Sequence, residues 1–127
     1  MKKAFFLLVF LFCATTLKAQ SRSDWRYEGK INGVSFYIKY LCQDNCSYEL
    51  FLLKAVNEAS TAKEVSTGDI IFKWYTTEIK KLNGSSFTLK PYATKSGQMD
   101  GLFWIVPKGH EKEALGYLPN LNVKNLE

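Results

Sequence analysis

The sequence predicts an all-β domain, namely an immunoglobulin-like antiparallel β-sandwich of about seven or eight strands. From residue 25 onward, short apolar segments alternate with turn residues at intervals of roughly 8 to 16 positions. No long stretch has the 3.6-residue apolar periodicity of an amphipathic helix. A small β-barrel is the alternative architecture, because strand number and chain length fit both folds.

The first half of the chain gives the clearest strand signals. Residues 25–30 form a weak first strand, and Asn32-Gly33 is the strongest short-range signal of a tight hairpin turn. Residues 34–41 then alternate with a period of two, which predicts one buried and one outer face. The strand after the cysteines contains four consecutive apolar residues, 50–53, so we expect it to be central and buried on both faces.

The second half is predicted from shorter patterns. Val65 is expected on a short edge strand. Ile70, Phe72 and Trp74 alternate along residues 70–77, and Trp104 lies in the continuous apolar run 102–106. These patterns place both tryptophans in the core. Further strands are expected around three segments, at residues 87–91, 102–106 and 120–126. Residues 21–23 are expected to fray.

Length and composition indicate one packed domain. The chain has 127 residues, of which 46% are hydrophobic, 15% aromatic and 23% charged. These values exclude a disordered tail, a collagen-like repeat and a multidomain enzyme.

Residues 1–19 have the three parts of a secretory signal peptide: basic Lys2 and Lys3, an unbroken apolar run over residues 4–13, and small Ala19 at the end. The apolar run is shorter than the ~20 residues that span a bilayer. We therefore expect a mature domain of residues 20–127 with no stable membrane span, located in the periplasm, at the cell surface or outside the cell. An uncleaved anchor and lipid attachment at Cys13 are the alternatives.

Most of the net positive charge belongs to this signal. The whole chain has a formal net charge of +5, but residues 20–127 carry 14 basic and 12 acidic side chains, a net charge of +2. Neither a nucleic acid nor an acidic lipid surface is indicated as a partner.

Cys42 and Cys46 are the cysteines of the mature domain. An export route, an even count and the turn-forming spacer between them predict a disulfide at a hairpin tip, with a three-residue loop and the cysteines opposite each other. Zinc would need more ligands than these two and the single histidine, His110, provide. A redox pair normally has a two-residue spacer. We therefore expect no metal and no cofactor.

The chemical motifs of enzymes are missing from the sequence. His110-Glu111 begins like a zinc-protease helix, but Ala114 stands where the second histidine would fall. The chain has no glycine-rich phosphate loop and no Gly-x-Ser-x-Gly elbow. His110 is expected on the surface. Trp25 and Tyr75 are the candidate ligand contacts, because exposed aromatic side chains stack on sugars and anchor interfaces.

A set of features resembles a known group of proteins. The Ala19-Gln20 signal end, Trp25, the Asn32-Gly33 turn, residues 50–53 and the Phe72-Lys73-Trp74 segment are similar to small exported β-sandwich proteins, mostly uncharacterised, of Bacteroidetes-type bacteria. The resemblance covers residues 25–76. It implies an envelope or extracellular location and carries no activity or site residue.

Together these observations predict an exported, non-enzymatic binding module for a protein or glycan partner. Loops 43–45, 57–62 and 95–101 are expected to carry contacts, since loops on rigid scaffolds usually do. An inhibitor or immunity-type protein that occludes a toxin or protease is one alternative. A small hydrolase with paired carboxylates is the other. The sequence leaves the oligomeric state open.

Overall fold

A computed structural model describes residues 22–43 and 45–126, so the predicted signal peptide lies outside the described residues. The described chain is almost entirely β, with a single short 3-10 turn at Gln98–Asp100. Its eleven strands, in chain order, are β1 (Arg26–Ile31), β2 (Val34–Gln43), β3 (Tyr48–Asn57), β4 (Lys63–Ser66), β5 (Ile70–Trp74), β6 (Thr77–Leu82), β7 (Ser86–Leu89), β8 (Thr94–Ser96), β9 (Phe103–Ile105), β10 (Leu115–Tyr117) and β11 (Asn122–Asn125).

The strands form three antiparallel sheets. The largest has the order β1-β2-β3-β8, with β9 also paired to β3, and the two smaller sheets are β10-β5-β6 and β11-β4-β7. Side chains from all three sheets meet in one hydrophobic core. None of the described sheets closes into a barrel, so the all-β sandwich prediction is confirmed.

The number of strands exceeds the seven or eight predicted. The additional strands are β6, β8 and β10, which the hydrophobic pattern does not reveal. β8 and β10 have three residues each, too few to show alternation, and β6 has the mostly polar sequence TEIKKL. β8 also occupies the beginning of the predicted loop 95–101.

The strongest sequence signals are found where they were expected. Asn32 and Gly33 have φ angles of 46° and 84°, as a type I′ turn requires, and they join β1 to β2. The inward face of β2 is buried, and residues 50–53 of β3 are all buried, so burial on both faces of this strand is confirmed. Leu50 and Leu52 are the two that face away from the core cluster.

Aromatic rings connect the layers. The Phe51 ring of β3 contacts the Phe72 ring of β5 edge-on, with ring centroids 5.7 Å apart. Beside them, the Tyr40 hydroxyl accepts a hydrogen bond of 2.9 Å from the backbone N–H of Gly116 in β10. Burial raises the pKa of Tyr40. A Cβ on Gly116 would lie 3.0 Å from the Phe51 ring, so any larger residue would require this ring to shift by a few tenths of an ångström.

Two local predictions are wrong. Val65 lies on β4, which is the central strand of its sheet rather than an edge, because β7 and β11 return from far along the chain to flank it. Arg22 is not frayed. Its carbonyl accepts a 2.9 Å hydrogen bond from the N–H of Tyr40, and its guanidinium pairs with buried Glu49.

A disulfide joins Cys42 to Cys46, as predicted, with the Cα atoms 4.7 Å apart. The register of the hairpin differs from the prediction. β2 and β3 pair as far as Gln43 and Tyr48, which leaves a four-residue loop, and Cys42 lies opposite Glu49 rather than opposite Cys46. Cys46 lies inside the turn with a φ angle of 67°. The bond therefore closes the tip of one hairpin.

Replacing Cys42 and Cys46 together with serine should lower the free energy of unfolding by about 2 kcal/mol, because closing so small a loop removes little chain entropy from the unfolded state. The variant should remain folded by circular dichroism and should unfold cooperatively in urea. A variant that failed to fold would show that the hairpin tip contributes far more than loop closure allows.

Candidate functional site

The hairpin that joins β5 to β6 displays a tyrosine at its tip. Trp74 pairs with Thr77, so the turn has two central residues, Tyr75 and Thr76. Tyr75 has a φ angle of 56°, and a positive φ at the first central position of such a turn normally calls for glycine. Tyr75 is also 82% exposed to solvent. The chain thus holds an aromatic ring in solvent on a strained backbone, a combination that concentrates at functional sites.

Trp74 lies next to this ring instead of in the core. The indole is 41% exposed, with its ring centroid 5.1 Å from that of Tyr75, so the prediction that it is a core residue is wrong. Trp74 is the last residue of β5, directly before the turn, so it lies beyond the core even though it alternates with Phe72. Trp104, by contrast, is 9% exposed as predicted, and its indole N–H donates to the carbonyl of Asn83.

The loop after β9 completes the site. The ring of His110 contacts Trp74 with a centroid distance of 5.4 Å, and Glu113 and Leu115 line a shallow cleft of about 340 Å³ together with Trp74 and Tyr75. His110 is half-buried, which corrects its predicted surface position. Its Nδ1 has no hydrogen-bond partner among the described residues.

A buried ion pair fixes this loop to the large sheet. The carboxylate of Glu49 accepts hydrogen bonds from the guanidinium of Arg22 at 2.7 Å and from the backbone N–H of Lys112 at 3.0 Å. Arg22 also donates to the carbonyl of Ala114 at 2.9 Å, and it lies over the Tyr40 ring, 3.7 Å from the centroid. The segment that carries His110 and Glu113 is therefore held at both Lys112 and Ala114.

These groups can bind a small polar ligand with apolar faces. Trp74 and Tyr75 offer two ring surfaces set at 52° to each other. The exposed carboxylate of Glu113 accepts hydrogen bonds when ionised. Apolar walls with one convergent polar group are the common arrangement of a ligand site.

Trp25, the other predicted ligand contact, lies in a different place. The ammonium groups of Lys39 and Lys54 lie 4.8 and 4.9 Å from its ring centroid, on the outer face of the large sheet. Lys54 also lies 4.5 Å from the ring centroid of Tyr37. The structure therefore does not bring Trp25 together with Tyr75, and its role as a contact stays a prediction.

Two of the predicted contact loops lie at opposite ends of the sandwich, and the third, 95–101, lies beside the middle of β3, where the N–H of Gly97 donates to the carbonyl of Leu53 at 3.0 Å. The disulfide hairpin lies at the end of the site, because Glu49 is opposite Cys42 and also contacts Lys112. Loop 57–62 lies at the other end of β3, where the buried amide of Asn57 donates to the carbonyls of Thr61 and Lys90. There the Ser35 hydroxyl and then the Lys30 ammonium lower the pKa of Glu58 by hydrogen bonding to its carboxylate.

Sequence reasoning identified Tyr75 and missed Trp74, His110 and Glu113. Trp74 and His110 lie in distant segments of the chain, so no local sequence pattern indicates their contact. Tyr75 was singled out as an aromatic ring on the predicted strand 70–77, opposite the face of Phe72 and Trp74, and the turn that in fact displays it was not predicted.

No family model, curated protein or solved structure matches this chain. Over residues 22–43 and 45–126, no helix is long and apolar enough to cross a membrane. The same residues contain no cluster of three or more His, Cys, Asp or Glu side chains that could hold a metal ion.

Proposed function

We propose that this protein is an exported, non-enzymatic binding module that recognises a glycan at the Trp74–Tyr75 site. The observation that carries the proposal is the exposed Tyr75 ring, held at a position where glycine would be less strained and set beside Trp74. A sugar ring has an apolar C–H face that suits an aromatic platform, and its hydroxyl groups can donate to Glu113. The predicted secretory signal and the disulfide support export.

A glycan is favoured over a protein partner by the shape and size of the site. The cleft has a volume of about 340 Å³, within the range of small-ligand sites. A protein interface would cover a much broader surface, of about 800 Å² on each partner. An inhibitor of a toxin or protease would require such a surface as well.

The experiment is a glycan array with the purified mature domain, followed by calorimetry on the best ligand. Replacing Tyr75 with glycine should weaken binding about tenfold or more, because a stacking aromatic anchor is lost. The free energy of unfolding should stay the same or rise, since glycine adopts the left-handed backbone without a steric penalty. A loss of binding without a loss of stability separates a functional side chain from a structural one.

Tyr92 provides a matched control. It is also an exposed tyrosine, with 68% exposure and a φ angle of 60°, on a turn outside the site. Tyr92→Gly should bind like the wild type. Equal binding by wild type and Tyr75→Gly, or equal losses in both variants, would contradict the proposal. Capture of one stoichiometric protein partner without any glycan would point instead to the interaction or inhibitor hypothesis.

A further inference from the structure

We propose a second binding site, a cleft between the layers of the sandwich that takes a single-chain amphiphile with a carboxylate head, such as a fatty acid anion. The cleft has a volume of about 460 Å³, well inside the range of small-molecule sites. It opens between the inner face of the large sheet and the segment that follows β10. It shares no lining residue with the Trp74–Tyr75 site.

The floor and walls of this interlayer cleft are apolar. Beneath it lie the fully buried core residues Phe36, Ile38 and Leu53. The apolar surface that a ligand can reach belongs to the half-buried side chains of Ile71, Leu118 and Leu121. This surface favours an alkyl chain over a hydrated ligand, because taking apolar surface out of water is favourable.

The exposed rim adds apolar side-chain surface and the hydroxyl group of a tyrosine. Ile31 and Tyr117 line the cleft and are both partly open to solvent. Large apolar side chains left exposed beside a cavity are a usual mark of a binding site.

The charges at the rim select the head group. Lys73 lines the cleft, and its ammonium lies 5.4 Å from the ring centroid of Tyr117. Among the described residues Lys73 forms no ion pair, although Glu78 lies opposite it on β6, and the cleft's own acidic residue, Glu28, is paired with Arg26 at 3.7 Å. The Lys73 ammonium is therefore the cation that an anionic head would meet at the rim.

Lys73 lines this cleft and does not line the neighbouring aromatic site. Its cross-strand partner Leu115 lines the aromatic site, so the two sites lie side by side. Lys73 and Tyr117 are neighbours on the same side of the β5–β10 pair, where Ile71 lies opposite Tyr117. Ile71, the Tyr117 ring and the Lys73 ammonium thus line the same cleft.

The test is calorimetric titration of the mature domain with dodecanoate below its micelle concentration, with dodecyltrimethylammonium as the matched cationic probe. Saturable one-to-one binding of dodecanoate and weak binding of the cation are expected. In Lys73→Glu, dodecanoate should bind about tenfold more weakly or worse, since a charged hydrogen bond contributes about 1.5–3 kcal/mol. The cationic probe should bind this variant more tightly than it binds the wild type.

Lys81→Glu is the control, because Lys81 lies on β6, pairs with Asp69 at 3.4 Å and does not line the cleft. Amide chemical-shift changes give a second readout that does not depend on a variant, and they should centre on Ile71 and Leu118. Absence of saturable binding, shifts centred elsewhere, or equal losses in the two lysine variants would overturn the proposal. Tyr75→Gly should bind dodecanoate normally, so this proposal and the glycan proposal fail separately.

Discussion

Replacing Gly84 with alanine should lower the free energy of unfolding by about 3 kcal/mol, at the upper end of what overpacking does to a core. A Cβ at this position would overlap the carbonyl oxygen of Gly68 and the hydroxyl of Thr67, and it would lie 2.8 Å from the carbonyl carbon of Gly68. Two of these three atoms belong to backbone, which cannot rotate away as a flexible side chain does. The loop after β6 would have to move.

That movement would break a buried connection that continues the pairing of β4 with β7. The backbone N–H of Ser85 donates to the Thr67 hydroxyl at 2.8 Å, and the N–H of Thr67 donates to the carbonyl of Ser85 at 2.9 Å. Thr67 is fully buried, so any donor or acceptor left unmatched there has no water to replace its partner. The cost of the methyl group therefore combines the steric overlap with lost hydrogen bonds.

Urea denaturation followed by circular dichroism measures the effect. Asn83→Ala, one position earlier in the same loop, is the matched control, because the Asn83 side chain is exposed. It should change stability by no more than about 0.5 kcal/mol. A Gly84→Ala variant less than 1 kcal/mol below the wild type would mean that the two loops separate easily.

The local pattern of the sequence was sufficient to predict the first three strands of the large sheet, though not β8. The Asn32-Gly33 turn fixes the register of its hairpin, and the alternation along β2 fixes which face is buried. The apolar run of residues 50–53 marks a central strand without any knowledge of its neighbours. These features depend on residues a few positions apart, so they can be inferred before the fold is known.

The parts that sequence reasoning missed depend on contacts between distant segments. Nothing near Gly84 indicates that the backbone of Gly68 lies against it. The exposure of Trp74 follows from its position at the end of β5 beside the turn, whereas the alternation of apolar residues alone places it in the core. The candidate site could therefore be predicted only in part: Tyr75 could be singled out as an aromatic contact, but the turn that displays it and the loop that completes the site could not.

Arg22 and Glu49 are the sharpest case of such a distant contact. They are 27 positions apart, and the interaction turns a terminal segment expected to fray into part of the packed domain. The same carboxylate accepts a hydrogen bond from the backbone N–H of Lys112. One buried side chain therefore joins the N-terminal segment, β3 and the loop of the candidate site. Stability and site geometry are therefore linked through Glu49.

Replacing Glu49 with alanine should lower the free energy of unfolding by about 3 kcal/mol, because removing one partner leaves the other charge of a buried pair without compensation. The side chain of Glu49 is almost fully buried, and that of Arg22 is 29% exposed, so water can only partly solvate the guanidinium that remains. Glu49→Gln, which keeps an acceptor for Lys112, should lose less. Glu28→Ala is the matched control, since its ion pair with Arg26 is exposed and worth at most about 1 kcal/mol.

The same substitution should also weaken glycan binding, although Glu49 does not line the site. Without its carboxylate, the backbone at Lys112 loses its acceptor, and His110 and Glu113 lose their fixed position beside Trp74. Urea denaturation and calorimetry on the same variants separate the two effects. If Glu49→Ala lowered stability and left glycan affinity unchanged, the loop would not contribute to recognition, and the two aromatic rings would have to account for binding alone.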